Sequence, residues 1–166
     1  DLGVIDRLSV KKPIERVFGD VTLPETLEDA ARGVDLVIHM VGIIHPKKVG
    51  QFRQINTLGT ANMLEVSVKQ GVKKFIYISS NSPAGTNPRP DKLMTEEDPP
   101  RPYMQYGASK YEAESLVQKF HREGKLHTVI LRPFWYYCPH HTVRQTLFFR
   151  MINKGNPILF GNGTNL

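Results

Sequence analysis

The sequence predicts an α/β domain with a doubly wound parallel sheet. Short β-branched segments alternate along the chain with amphipathic segments of helical length, the pattern of strands joined by crossover helices. The first of these short segments is apolar almost throughout, as expected of a strand buried on both faces. The 166 residues, 40% of them hydrophobic and 23% charged, suit one globular domain with a sizeable core.

Three strands are predicted. They cover residues 35–41, 74–79 and 128–132, and Pro133 ends the third. Ligands bind at the carboxyl edge of such a sheet, so the residues that follow each strand are candidates for a functional site.

Helix signals fill the intervals between the strands. A short helix opens near Pro24 and closes at Gly33, and a second shows helical spacing of apolar residues up to Gly71. The longest predicted helix covers about residues 103–123, and a further helical stretch covers about residues 143–154.

A long loop is predicted between the second strand and the longest helix. Residues 81–102 are rich in Pro, Asn and Gly. A loop of this length inside a compact domain is usually functional, so we expect it to cover an active site.

Charge and composition argue against several classes of protein. The formal net charge is +6, but the basic residues are dispersed and form no aromatic-interleaved stripe, so nucleic acid is not an expected partner. A dinucleotide phosphate would serve equally well as the anionic partner. No apolar run approaches the roughly 18 residues of a membrane span, so no membrane association is expected.

The cysteine and histidine content suggests a reduced compartment and no metal. Cys138 is the single cysteine, so an intrachain disulfide is impossible and a cytoplasmic location is the default. His140 and His141 lie near it, but two adjacent imidazoles and one thiol lack the spacing of a zinc site.

Tyr106 and Lys110 form the sharpest local feature. A spacing of four residues on a helix puts the phenol and the ammonium on one face. A neighbouring cation favours the phenolate and lowers the tyrosine pKa, as a general acid/base for an alcohol requires. The structural alternative is a tyrosine packed on a lysine stem. Ser80 follows the second strand, 26 residues before Tyr106, and favours the catalytic interpretation.

Five further segments occur in a fixed order along most of the chain: Gly19-Asp20-Val21, His39-Met40-Val41-Gly42, Asn56 to Asn62, Phe75 to Ser80, and Leu131-Arg132-Pro133. Together with the Tyr106 and Lys110 pair, they resemble the extended short-chain dehydrogenase/reductase family. That family includes sugar-nucleotide epimerases and dehydratases and the 3β-hydroxysteroid dehydrogenases.

The resemblance implies a role for each catalytic candidate. Tyr106 would exchange a proton with the substrate oxygen while hydride passes to or from a nicotinamide. Lys110 would lower the Tyr106 pKa and bond the nicotinamide ribose. Ser80 would donate a hydrogen bond to the substrate oxygen, and Asn56 would hold the helix and a water near Lys110.

The resemblance also implies a cofactor, NAD or NADP, in a Rossmann-type domain over residues 1–133, with the start of a substrate-binding region at 134–166. The expected substrate is a small molecule, either a nucleotide sugar or a steroid-like alcohol; aromatic residues 134–137 favour the latter slightly. A homodimer paired through the Tyr106 helix is possible. The implied cofactor contacts are Asp20, Val21, Met40, Val41, Gly42, Ile78, Ser79, Tyr106, Lys110 and Pro133.

Several assignments have structural alternatives. Ser79 is the alternative to Ser80 as the catalytic hydroxyl. For Asn56 the alternative role is to cap the helix that follows, and for Asp20 it is to stabilise a turn. His39 is expected to be a buried core histidine and not a catalytic one.

Two features depart from the family pattern. The Gly-rich turn that receives the pyrophosphate is missing, so we expect the domain to be truncated at both ends and to bind NAD(P) weakly by itself. Cys138 replaces the usual glycine after Tyr137, which puts the local pocket geometry in doubt. The alternative function is a non-catalytic dinucleotide-binding or assembly subunit of the same fold.

Overall fold

The computed structural model describes residues 14–88, 91–134 and 143–155. The chain divides into two compact units. The larger unit, Glu15–Phe134, contains the sheet and its helices. The helix Val143–Asn153 belongs to the other unit and agrees with the predicted helical stretch.

Within the described residues the sheet has three parallel strands in the order β1-β2-β3, namely Leu36–His39, Lys74–Ile78 and His127–Leu131. The register aligns Val37 with Phe75, and Phe75 with Thr128. The predicted parallel α/β class is therefore confirmed. β1 is two residues shorter at its carboxyl end than predicted, because the backbone leaves the ladder after His39.

Helical segments connect consecutive strands. After a 3-10 turn at Pro24–Thr26, helix α1 is Glu28–Ala31. A π-helical segment, Phe52–Leu58, runs directly into helix α2, Gly59–Lys69, which leads to β2. Helix α3 is Met104–Arg122 and leads to β3, and Val143–Asn153 is α4. The predicted 103–123 helix is thus confirmed within one residue at each end.

The core lies between the sheet and the two crossover helices. Phe75 and Tyr77 point from β2 into this layer and are fully buried, as are Leu64 of α2 and Ala113 and Val117 of α3. Burying a large apolar side chain contributes about 1.5–3 kcal/mol, so this layer fixes α3 firmly against the carboxyl half of β2.

The opposite face of the sheet is less covered. Ile38, Val129 and Leu131 are about half exposed within the described part of the chain. None of the described helices combines the length and the apolar character needed to cross a bilayer.

Candidate active site at the carboxyl edge of the sheet

The loop after β2 is clamped to the first turn of α3. The Tyr103 backbone N–H donates to the Ser82 carbonyl (2.9 Å), and the Arg101 N–H donates to the Ala84 carbonyl (3.3 Å). A Cβ added to Gly107 would lie 2.7 Å from the Ser82 oxygen, so only glycine permits this approach. The clamp brings the segment that follows β2 against the turn of α3 that carries Tyr106.

Ser80 lies at the start of this loop and is half-buried. Its Oγ is 3.2 Å from Asn81 Oδ1 and 3.3 Å from Ser82 Oγ, and it accepts from the Ser82 N–H (3.3 Å). Ser79 is different: its hydroxyl is buried and has no hydrogen-bond partner among the described residues. Of the two adjacent serines, Ser80 is the more accessible.

Lys110 is almost fully buried behind this loop. Its Nζ donates to the carbonyl of Ile78, the last residue of β2 (2.9 Å), and lies 4.2 Å from the centre of the Tyr77 ring. Burial lowers the pKa of Lys110 to about 8, and the carboxylate of Glu114 opposes that shift. The amine is therefore mainly charged at neutral pH.

Tyr106 lies one helical turn before Lys110 and is half-buried, with its ring 6.2 Å from that of Phe52. The phenol ring in contact with the Lys110 amine belongs to Tyr77, which is fully buried. Burial raises the pKa of Tyr77 far above its ordinary value, with a smaller opposing effect from Thr60. Tyr77 therefore stays a neutral phenol, and Tyr106 is the better placed of the two for proton exchange.

Asn56 connects the segment after β1 to α3. The side chain is fully buried: its Oδ1 accepts from the Ile43 N–H (2.7 Å), and its Nδ2 donates to the Ile43 carbonyl (3.1 Å) and to Ser109 Oγ (3.0 Å). Asn56 lies inside the π-helical segment, so its side chain does not cap a helix.

The backbone after β1 passes over the Lys110 amine. Met40, Val41 and Gly42 are all exposed. A Cβ added to Gly42 would lie 3.3 Å from Asn56 Oδ1 and 3.9 Å from Lys110 Nζ. This exposed segment provides an apolar surface beside the buried Lys110 amine.

Asp20 and Val21 lie further from this cluster in sequence: Asp20 is held by a local turn, and Val21 contacts α2. The Asp20 carboxylate accepts from the backbone N–H and the hydroxyl of Thr22, both at 2.8 Å, and these bonds lower its pKa. The turn role considered for Asp20 is therefore present. Val21 packs against Gly59, where an added Cβ would approach Val21 Cγ2 to 2.7 Å, and its carbonyl accepts from Asn62 (2.8 Å).

His39 is a buried core histidine, as expected. Its Nε2 is 3.1 Å from the Thr60 hydroxyl, and its ring lies 5.8 Å from those of Phe75 and Tyr77. Burial, and then the positive charge of Lys110, lower the pKa of His39 to about 4.

The sequence interpretation missed one buried charged pair. Glu114 of α3 is fully buried and pairs with Arg132, which precedes Pro133 after β3. A signal was present, because Tyr106, Lys110 and Glu114 follow one another at intervals of four residues on one helix face. The residues from Trp135 to Cys138, with His140 and His141, lie outside the described part of the chain.

Comparison with known proteins finds similarity along the whole chain. The whole chain, residues 1–166, matches the sequence profile of the NAD dependent epimerase/dehydratase family. An uncharacterised protein of Sinorhizobium fredii is 40% identical over 158 residues, which cover 93% of this chain and 44% of that protein. UDP-glucose 4-epimerase of Vibrio cholerae is 29% identical over 152 residues, covering 88% and 46%. The chain thus spans about half the length of these relatives.

Solved structures show the same fold. The dTDP-glucose 4,6-dehydratase DesIV of Streptomyces venezuelae, with NAD and TYD bound, superposes with a TM-score of 0.76 at 27% identity, covering 89% of this chain and 47% of that one. RMD from Pseudomonas aeruginosa, complexed with NADPH, gives a TM-score of 0.73 at 25% identity, covering 93% and 57%.

Proposed function

The chain belongs to the NAD dependent epimerase/dehydratase family, and from this premise we propose that it forms the catalytic part of an NAD(P)-dependent enzyme. The enzyme would move hydride between the nicotinamide and a secondary alcohol or ketone of its substrate. The observation that carries the proposal is the buried Lys110 ammonium, bonded to the Ile78 carbonyl one helical turn from Tyr106.

The proposed substrate class is the nucleotide sugar. The names of the Vibrio cholerae epimerase and the Streptomyces venezuelae dehydratase both refer to such compounds. The aromatic residues that favoured a steroid-like alcohol in the sequence begin at Phe134, and Trp135 to Tyr137 lie outside the described residues. The names of these relatives therefore support the nucleotide sugar over the steroid-like alcohol.

The proposed mechanism uses three side chains. The Lys110 charge stabilises the phenolate of Tyr106, so the phenolic oxygen can take a proton from a substrate hydroxyl or return one to a carbonyl. Ser80, half-buried at the start of the loop after β2, donates a hydrogen bond to the same substrate oxygen. Negative charge that develops on that oxygen is then stabilised by hydrogen-bond donors already in place. Such electrostatic stabilisation accounts for a large part of the rate enhancement in this kind of catalysis.

The residues present fit a nicotinamide cofactor. Gly42 leaves open space that a Cβ would fill 3.9 Å from Lys110 Nζ, and the exposed Met40 and Val41 provide an apolar surface beside it. When bound, the nicotinamide supplies the site for hydride. Lys110 would hold its ribose, and Ile78, Ser79 and Pro133 would contact it from the ends of β2 and β3. Both NAD and NADP occur among the structural neighbours.

The alternative, a non-catalytic subunit of the same fold, is less well supported. Burying an amine costs free energy unless something compensates for lost hydration. Lys110 is 3% exposed and lies one helical turn from Tyr106, a spacing that proton transfer uses and an assembly role does not require.

Tyr106→Phe in the full-length protein tests the proposal, with UDP- and dTDP-hexoses as substrates. Absorbance at 340 nm reports hydride that stays on the nicotinamide, and separation of the product sugar nucleotides reports turnover when the hydride returns to the sugar. We expect the variant to lose at least about a hundredfold in kcat while its NAD(P) affinity changes less than about threefold. Tyr103→Phe is a matched control, because Tyr103 is exposed at the start of the same helix. Full turnover in Tyr106→Phe would reject the catalytic assignment.

A further inference from the structure

Glu114 and Arg132 form a buried ion pair close to the proposed site. Arg132 Nη2 donates to Glu114 Oε2 (2.7 Å), and Arg132 Nε lies 3.0 and 3.2 Å from the two carboxylate oxygens. The Glu114 side chain is 0% exposed, whereas that of Arg132 is 26% exposed. A carboxylate buried to this degree needs such a partner, because removing one member leaves an uncompensated charge.

The pair fixes two elements that the site requires. Glu114 belongs to α3, one turn beyond Lys110, and Arg132 lies between Leu131, the last residue of β3, and Pro133. Lys110 itself bonds the end of β2. The same face of α3 therefore contacts two neighbouring strand ends, β2 through the amine and β3 through the carboxylate.

Glu114 also determines the charge around Lys110. The ring centre of Tyr77 of β2 lies 4.2 Å from the amine, and His39 of β1 and Glu114 of α3 interact with it electrostatically. Arg132 binds the Glu114 carboxylate, Asn56 lies beside Gly42 near the amine, and Tyr106 precedes Lys110 by one helical turn. The pKa of His39 is lowered to about 4, so its ring is neutral at pH 7, and that of Tyr77 is raised. Glu114 is the only carboxylic acid among these named groups. Its effect opposes the lowering of the Lys110 pKa by burial.

We propose that Glu114 is a positioning residue of the site: through Arg132 its buried carboxylate holds the turn after β3 against α3, and it provides a counter-charge one helical turn from the buried Lys110 amine. The inference rests on the proposed function in one respect: the charge of Lys110 matters for turnover only if Tyr106 acts as the proton donor and acceptor. The two statements about geometry and charge do not depend on turnover.

The decisive variant is Glu114→Gln, which keeps the shape of the side chain and removes its charge. Lys110 is titrated in the full-length protein by the ¹³Cε resonance of labelled lysine, assigned from its disappearance in Lys110→Arg. We expect the midpoint of Lys110 to move to lower pH by at least about half a pH unit, because the ammonium loses its nearby counter-charge. Glu114→Asp, which restores the charge, should recover most of the shift.

Glu123→Gln is the matched control. Glu123 caps the end of α3 and pairs with Lys125 at 2.7 Å on the surface, away from the site. The Lys110 midpoint should be unchanged in this variant. An unchanged midpoint in a folded Glu114→Gln protein would overturn the proposal.

A double variant guards against unfolding. If Glu114→Gln does not fold, Glu114→Gln/Arg132→Gln removes both charges and leaves no unpaired ion in the interior. We expect the Lys110 midpoint of this double variant to lie below that of Arg132→Gln, which keeps the Glu114 carboxylate, and equal midpoints would again reject the role of Glu114.

Turnover provides the second readout. The alkaline limb of the kcat/KM profile should move to lower pH in Glu114→Gln by the amount measured for Lys110, and Glu114→Asp should reverse it. If Tyr106→Phe retains turnover, the proposed function fails, while the nuclear magnetic resonance titration still decides the role of Glu114.

Discussion

Asn56 and Ser109 are hydrogen-bonded between two segments that lie 53 residues apart in the chain: Asn56 Nδ2 donates to Ser109 Oγ at 3.0 Å. Ser109 Oγ in turn donates to the Tyr106 carbonyl at 2.8 Å. Because Asn56 also bonds both backbone groups of Ile43, one amide joins the segment after β1, the π-helical segment and the turn of α3 that carries Tyr106.

This relationship predicts that Asn56→Ala is strongly destabilising. The variant leaves the Ile43 backbone groups and Ser109 without their partner, so we expect about 2–4 kcal/mol lower free energy of unfolding in urea. Asn62→Ala removes a single bond, to the Val21 carbonyl, and should cost only about 1 kcal/mol. Equal losses in the two variants would contradict the central role of Asn56.

The two adjacent serines should separate function from structure. Ser80→Ala is expected to lower kcat by about 10²–10³, the typical cost of removing one donor to a developing oxyanion. Ser79→Ala should change kcat less than threefold and leave stability unchanged or slightly higher, because its buried hydroxyl has no partner among the described residues. Steady-state kinetics on both variants tests this assignment. A larger loss of kcat in Ser79→Ala than in Ser80→Ala would identify Ser79 as the catalytic hydroxyl.

Gly42→Ala should weaken cofactor binding. The new methyl group would occupy the space 3.3 Å from Asn56 Oδ1 and 3.9 Å from Lys110 Nζ, so we expect the Kd for NAD(P) to rise by about tenfold in calorimetry. Gly50→Ala is the control, since a Cβ there meets nothing within 4 Å and its affinity should match that of the unaltered protein.

His39 should make the fold sensitive to acid. Its folded pKa of about 4 lies below the ordinary 6.5, so the folded state binds fewer protons than the unfolded state between these values. Stability that is present above pH 6.5 is then lost as the pH falls towards 4, by roughly 2–3 kcal/mol from this residue. Urea unfolding of His39→Gln should show a shallower decline over that window; an identical pH dependence would refute the assignment.

The sequence was sufficient for the elements that depend on local pattern. β-branched runs located all three strands, and the spacing of Tyr106 and Lys110 correctly placed them on one helix, because periodicity reports which residues share a face. The exact end of β1 was missed, since His39-Met40-Val41 keeps an apolar strand-like composition after the ladder ends.

Hydrogen-bond and ion-pair partners that lie far apart in the sequence could not be predicted from such local patterns. Nothing local in the sequence indicates that Asn56 bonds Ser109, or that Glu114 pairs with Arg132, because those bonds depend on how the helices pack. The π-helical turn at Phe52–Leu58 was also not predicted, since helical spacing of apolar residues does not distinguish its wider turns from an α-helix.

The two hydrogen bonds that join Ser82 to Tyr103 and Ala84 to Arg101 hold together the two ends of the loop between β2 and α3. Its two ends are fixed side by side, independently of what they enclose. A change in the length or sequence of this loop therefore costs little chain entropy. It leaves the packing of β2 and α3 intact. The sequence of this loop can therefore change, in evolution or in the laboratory, while Tyr106 and Lys110 keep their positions.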